Sequence, residues 1–143
     1  MNIKIIKATK DNITDIAGIE KSCFSIPWTE KSIGDSISGG NTFFNIAYID
    51  GEPAGYMSMQ VILGEGDIMR VAVLPQYRRH GIAKRLLDDC FSSNTLDVVF
   101  LDVRENNIPA IKLYQSFDFK SIDIRKNYYS NPTENAVMMK KEF

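Results

Sequence analysis

The sequence predicts a mixed α/β (α+β) domain, with a central β-sheet of about seven strands flanked by about four helices. Three observations predict it. The middle of the chain, from Thr42 to Leu74, is a succession of strand-like runs broken only by short turns. From Gly81 the apolar period becomes helical, and strand and helix alternate after it. The resulting order is β, α, α, β, β, β, α, β, α, β, β, which fits helices packed on one mixed sheet and not an alternating parallel fold. The chain has 143 residues and no internal repeat, low-complexity stretch or linker, so 1–143 reads as a single domain.

Each element has its own signal. Ile3, Ile5 and Ile6 open the chain as a strand. Thr9 or Asp11 can cap a helix whose apolar positions are Ile13, Ile16, Ala17, Ile19 and Cys23. Pro27-Trp28 interrupts it, Thr29 can cap a short second helix, and Gly39-Gly40 ends that one. Thr42 to Ile49 is rich in aromatic and β-branched residues, and Asp50-Gly51 is a hairpin turn signal. Ala54 to Leu63 is the next strand, Gly64-Glu65-Gly66 turns the chain, and Asp67 to Leu74 runs until Pro75. After Gly81, the residues Ile82, Leu86, Leu87, Cys90 and Phe91 form one helical stripe. Leu96 to Val103 is nearly all apolar and is expected to be buried on both faces. Asn107 can cap the next helix, with Pro109 in its first turn and Ala110, Ile111, Leu113, Tyr114 and Phe117 inward. Lys120 to Tyr129 and Asn135 to Lys141 are the last strands.

Composition narrows the classes of function. Hydrophobic residues are 44% and charged residues 24%, as in an ordinary globular protein, and the formal net charge is −1. No global basic field exists to grip nucleic acid, so direct nucleic-acid binding is not expected. The one basic cluster is Arg78, Arg79, His80, Lys84 and Arg85. Cys23 and Cys90 match no metal-ligand spacing and read as small buried hydrophobes, so no metal is expected. No apolar run approaches the roughly 20 residues of a membrane span, and Met1 to Lys10 lacks the marks of a signal peptide. A cytoplasmic location is the default expectation.

The segment from Met69 to Leu87 carries the chemistry. A strand ends at a proline, a basic loop follows, and a glycine opens an amphipathic helix. Unpaired backbone N–H groups and the positive end of the helix dipole then converge, an arrangement that binds a pyrophosphate. Gly81 and Ala83 leave room for the backbone to approach it, and Arg78, Arg79 and Lys84 can add charge. A plain structural turn would give the same local pattern. The segment is neither a P-loop nor a Gly-x-Gly-x-x-Gly dinucleotide fingerprint.

Arg78-x-x-Gly81-x-Ala83, after the Val71-Ala72-Val73 strand, resembles the acetyl-CoA signature of the GNAT acetyltransferase superfamily. Asn107-x-x-Ala110-x-x-x-Tyr114 followed by Phe119 resembles its second motif. Ile19-Glu20, Phe24 and Pro27-Trp28, with Arg125-x-x-Tyr128-Tyr129 and Glu134-x-Ala136-x-x-Met139, resemble the bacterial ribosomal-protein-alanine N-acetyltransferases. The resemblance implies the GNAT fold and acetyl-CoA as co-substrate. The acceptor it implies is a protein N-terminal peptide, with an alanine on a small-subunit ribosomal protein as the acceptor residue. It implies that Val71, Ala72 and Val73 meet the pantetheine and thioester through backbone groups. Arg79, His80, Gly81, Ile82, Ala83 and Lys84 would wrap the pyrophosphate, and Asn107 would bond the pantetheine arm. Tyr114 would be the general acid at the leaving thiolate, and Asp102 would stand where this subfamily has a glutamate base. Two departures are visible: Asp102 is one methylene shorter than that glutamate, and Asp118 replaces the glycine before Phe119.

Several of these residues have a bland reading as well. Tyr114 on an apolar helix face could be a core tyrosine, and Asn107 a simple N-cap. Asp102 inside an apolar strand must be hydrogen-bonded, paired or used, and pairing with Arg104 would need local distortion. His80 contacts phosphate or is solvated. Tyr128 and Tyr129 are paired strand aromatics or line the acceptor site, and Trp28 is a core plug or a groove wall. No nucleophilic Ser or Cys constellation is evident, so direct transfer in a ternary complex is expected. A lysine or small-molecule amine as acceptor, and a non-catalytic acetyl-CoA-binding module, stay open as alternatives.

Overall fold

The computed structural model describes every residue, Met1–Phe143. Its elements are β1 (Ile3–Lys7), α1 (Ile13–Cys23), α2 (Glu30–Gly39), β2 (Thr42–Ile49), β3 (Glu52–Ile62), β4 (Glu65–Val73), α3 (Ile82–Ser93), β5 (Val98–Arg104), α4 (Ile108–Ser116), β6 (Lys120–Tyr129) and β7 (Glu134–Glu142). One seven-stranded sheet runs in the order β1-β2-β3-β4-β5-β7-β6. Only β4 and β5 pair in parallel; every other neighbour is antiparallel. The predicted class and element order stand. Thr9 does cap the first helical segment, but as a single 3₁₀ turn over Lys10–Asn12 that hands over to α1.

Apolar residues on the two faces of the sheet make two cores. Ile82, Leu86, Leu87 and Cys90 of α3 and Tyr114 of α4 pack on one face, against Met57, Met59, Val99, Leu101, Val103, Val137 and Met139. Ile16, Ala17 and Ile19 of α1 and Ile33 of α2 pack on the other, against Phe44, Ile46, Tyr56 and Ala72. Strand β5 departs from expectation here. Val99, Leu101 and Val103 are buried, but Val98, Phe100, Asp102 and Arg104 are only half-buried. The reason is coverage. Helices α1 and α2 contact β2, β3 and β4, which leaves the same face of β5, β7 and β6 without a helix.

A β-bulge at Met69 organises the functional end of the sheet. Ser58 pairs with Arg70 and Met59 with Ile68, so Met69 is an extra residue in β4. An extra residue inverts the alternation of side chains beyond it. Gly66 and Ile68 face the α3 side, whereas Arg70 and Ala72, of the same parity, face α1. Val71 and Val73 are thereby turned toward the α3–α4 side.

Arg70, once turned toward α1, meets Glu20, which is fully buried. Their closest ion-pair approach is 3.3 Å from Nε to Oε2. Glu20 also accepts from the Trp28 N–H at 2.8 Å and from the Tyr56 hydroxyl at 2.6 Å. The Arg70 guanidinium lies 3.9 Å from the Phe24 ring centroid and 4.5 Å from that of Trp28. A buried carboxylate is tolerated because each oxygen has partners. The network ties the α1–α2 connection to β4. Truncating one member of such a pair leaves the rest unsatisfied, so Glu20→Ala is expected to cost about 3 kcal/mol in urea unfolding. A loss under about 1 kcal/mol would show that the network does not hold the connection down.

Candidate active site

Strands β4 and β5 pair only at Glu65–Val98, Gly66–Val99 and Asp67–Phe100. Beyond that point they diverge, and a cleft of about 590 Å³ opens between them. The unpaired residues line it: Met69 to Val71 and Val73 from β4, and Leu101 to Arg104 from β5. Because the cleft passes between two strands, it is reached from both faces of the sheet.

On the α3–α4 face the walls are Arg78, Arg79, Ala83, Asn107, Pro109, Ala110, Leu113 and Tyr114. Pro75–Tyr77 forms one 3₁₀ turn, after which Arg79 and Gly81 adopt φ of 68° and 74°. This conformation aims the N-terminus of α3 at the cleft. Gly81 is the N-cap, no side chain caps the helix, and its first turn has no acidic residue. Helices α2 and α4, by contrast, are capped by Thr29 and Asn107. A Cβ built at Gly81 meets no protein atom within 4 Å, so glycine is required there by its φ and not by protein crowding. The N–H groups opening α3 are therefore left for an anion.

Tyr114 is buried, 8% exposed, and edge-on to Phe119 at 5.8 Å. Burial, and next the nearby Tyr129, push its phenol up to about 12. Asp118 holds φ at 69°, the left-handed conformation a glycine would take, so the turn before Phe119 is kept despite the substitution.

The other face presents Phe24, Arg70, Asp102, Arg104 and Tyr129. Asp102 is ion-paired with Arg125 of β6, 3.1 Å from Oδ1 to Nε. Arg104 does not pair with it. Arg104 bridges to Glu134 at 3.2 Å and donates to the Pro132 and Ser130 carbonyls. It also lies 4.5 Å from the Tyr129 ring centroid. Burial, and then the Asp102 carboxylate, raise Tyr129 to about 12. Both tyrosines in the cleft are thus neutral hydrogen-bond donors well past neutral pH.

The residues read from the sequence divide as follows. Val71, Val73, Arg79, Ala83, Asp102, Asn107 and Tyr114 line the one cleft. The Ala72 and Ile82 side chains are core, so only their backbone can serve a ligand. His80 and Lys84 are exposed on the loop and first turn of α3, outside the cleft walls. Arg78 turns back to donate to the Val73 carbonyl at 3.0 Å, and Arg85 reaches toward that of Ile3 at 3.4 Å, so the basic cluster is divided. Asn107 caps α4 through Ala110 N–H at 3.2 Å while facing the cleft. Trp28 packs against the α1–α2 core, and Phe24 is the aromatic wall instead. Arg70, Arg104 and Arg125 were missed as site residues; each is a cation in an otherwise apolar or alternating strand, which was the available signal. No group of three or more His, Cys, Asp or Glu side chains is arranged to hold a metal. No helix is long and apolar enough to cross a membrane.

Comparison with known proteins agrees with this geometry. The family model described as Acetyltransferase (GNAT) family matches residues 13–119. The chain is 32% identical over 127 residues to the [ribosomal protein bS18]-alanine N-acetyltransferase of Escherichia coli K12, covering 85% of this chain and 84% of that protein. It is 29% identical over 133 residues to the putative [ribosomal protein bS18]-alanine N-acetyltransferase of Bacillus subtilis, covering 90% and 88%. The crystal structure of the Escherichia coli ribosomal-protein-S18-alanine N-acetyltransferase superposes with a TM-score of 0.89 at 28% identity, over 99% of this chain and 94% of that one. Arabidopsis thaliana Naa50 in complex with the bisubstrate analogue CoA-Ac-MVNAL gives 0.84 at 26% identity, over the full length of both chains. With its diverging central strands, its uncapped glycine-led helix and a family match over most of its length, the chain belongs to the GNAT family of acetyltransferases, enzymes that take their acetyl group from acetyl-CoA.

Proposed function

We propose that the chain is an Nα-acetyltransferase that transfers acetyl directly to the N-terminal amine of a protein, an alanine of a small-subunit ribosomal protein. The observation that carries this is the cleft between β4 and β5, which joins the two faces of the sheet beside Asp102 and Tyr114. Donor and acceptor can enter from opposite faces and meet inside it without a covalent enzyme intermediate. The bS18-alanine acetyltransferases at 32% identity support the choice of acceptor.

In this reading the α3 N-terminus and Arg79 hold the pyrophosphate of acetyl-CoA, and Asn107 and the β4 backbone hold its pantetheine arm. The amine nitrogen attacks the thioester carbonyl, the C–N bond forms, and the C–S bond breaks. A β4 backbone N–H supports the oxyanion. Asp102 takes the amine's proton through a water. Tyr114 faces the departing sulfur. With its phenol at about 12 it stays protonated, and it outlasts a thiol of about 8.5 as a donor. Complete transfer to that thiolate is uphill, so the hydroxyl stabilises the sulfur chiefly by donating a hydrogen bond as charge builds.

The basicity of the acceptor favours an α-amine. At pH 7 about 10% of an α-amine of pKa near 8 is neutral, against under about 0.1% of a lysine of pKa near 10.4. A short carboxylate acting through water suffices for the first. Two peptides test this: one with a free N-terminal alanine and no lysine, the other N-terminally blocked with an internal lysine. The first is expected to be acetylated faster at saturating acetyl-CoA; the reverse order overturns the assignment.

Two substitutions test the donor side. Gly81→Val forces a branched residue to φ near 74° and moves the helix N-terminus, so calorimetric affinity for acetyl-CoA is expected to fall at least about tenfold. Unchanged affinity would remove the loop from the binding site. Tyr114→Phe is expected to lower turnover by about 10²–10⁴-fold with cofactor affinity retained. Since Tyr114 remains protonated up to about 12, its donor function persists through pH 10. A fall in rate near pH 10 that Tyr114→Phe abolishes would contradict this.

A further inference from the structure

On the face that α1 and α2 leave uncovered, an ion pair between β6 and β5 borders the cleft, and a second carboxylate stands on the same face of β4. Asp67 ends the paired part of β4, opposite Phe100. Asp102 stands two residues further along β5 and on the same face as Phe100. Arg125 comes from β6 and must cross the whole width of β7, about 10 Å, to reach Asp102. Its path is supported: Nη2 lies 3.4 Å from the Met138 sulfur, and Met138 is the β7 residue paired with Asp102. Tyr128 lies 5.6 Å from its guanidinium carbon.

The contact is one-sided. Arg125 Nε lies 3.1 Å from Oδ1 of Asp102, which is buried and has no hydrogen-bond partner, so the contact holds that oxygen by charge while the residue as a whole lines the cleft. Asp67, opposite Phe100, is the neighbouring carboxylate on this face, one strand across from Asp102. Asp67 titrates high, raised by burial, then by Asp102 and Glu65, and is held back only by Arg125. The other cations near this face are committed elsewhere: Arg104 to Glu134, Arg70 to Glu20, and Lys140, opposite Phe100 in β7, to Glu142; Asp123 of β6, paired with Met138, adds a further negative charge. Tyr129 is neutral.

We propose that Arg125 is a positioning residue for acetyl transfer: reaching across β7, it pins one oxygen of Asp102 and leaves the other directed at the acceptor amine. This rests on the reading of Asp102 as the group that takes the amine's proton. Arg125 has a second consequence. With Lys140 engaged by Glu142, Arg125 is the cation left to separate Asp102 from Asp67, so without it the two carboxylates compete for one proton.

The test uses the intact chain with the alanine peptide and acetyl-CoA. Arg125→Gln is expected to lower kcat about ten- to a hundredfold, with the KM for acetyl-CoA unchanged. The acid limb of kcat/KM should move up by about one pH unit. Arg125→Lys restores the charge and should bring that limb back. Adding Asp67→Asn to Arg125→Gln should do the same by removing the competitor. An unmoved limb in Arg125→Gln, or no recovery in either second variant, overturns the proposal. A measurement without acceptor separates it from the reading it rests on. The side-chain carboxyl ¹³C shift of Asp67 is titrated in the parent and in Arg125→Gln, with circular dichroism confirming the fold. A midpoint that rises in the variant supports the pinned pair even if the alanine peptide is not the acceptor, and an unchanged midpoint rules it out.

Discussion

The single register break at Met69 sets what the rest of the molecule can do. A strand that kept its alternation would turn Arg70 into the α3 core and Val71 and Val73 away from it. With one extra residue, the guanidinium meets Glu20 and the two valines border the cleft. The same stretch ends the pairing with β5, since the last matched residues are Asp67 and Phe100. Backbone groups freed from a sheet must find other partners. A cleft that exposes the edges of two strands offers those groups to an extended ligand, as an ordinary sheet edge does.

Much of the fold was legible because its signals are local. Period, turn glycines and cap residues placed every element, and the strand–loop–glycine–helix segment marked the helix whose N-terminus no side chain caps. What was not legible involves partners far apart in sequence. Glu20 and Arg70 are separated by 50 residues, and each alone is only a charge on an apolar element. Arg125 reaches Asp102 because β7 comes between their strands, an order that no local pattern encodes. The apolar run of β5 misled for a related reason: its composition fits burial on both faces, but no helix covers the second one.

The loop after β4 shows how a motif divides its labour. Counted as residues, it is a cluster of positive charge. In space, Arg78 closes the end of β4 and Arg85 leans toward β1. What remains for a ligand is mainly backbone, shaped by two left-handed residues, Arg79 and Gly81, on either side of His80. Affinity built on neutral backbone N–H groups is less sensitive to salt than affinity built on exposed cationic side chains, because there is less formal charge to screen, and fixed donors also need no ordering when the anion arrives.

Strand β6 is the outermost of the sheet and is exposed along almost its whole length. It is also the least regular strand, with register shifts between Ser121 and Asp123 and between Arg125 and Tyr129. Asn127, at φ 53°, donates its N–H to the side chain of Asn135 and not to a ladder partner. Lys120 and Lys126 add charge to the rim. A free edge that is kinked and cationic is a poor template for a strand from another molecule, so the irregularities guard the chain against edge-to-edge aggregation. The same kinks bring Arg125 to Asp102 and Tyr129 to the cleft, so straightening β6 to gain stability would give up two things at once: the guarded edge and the placement of these two side chains.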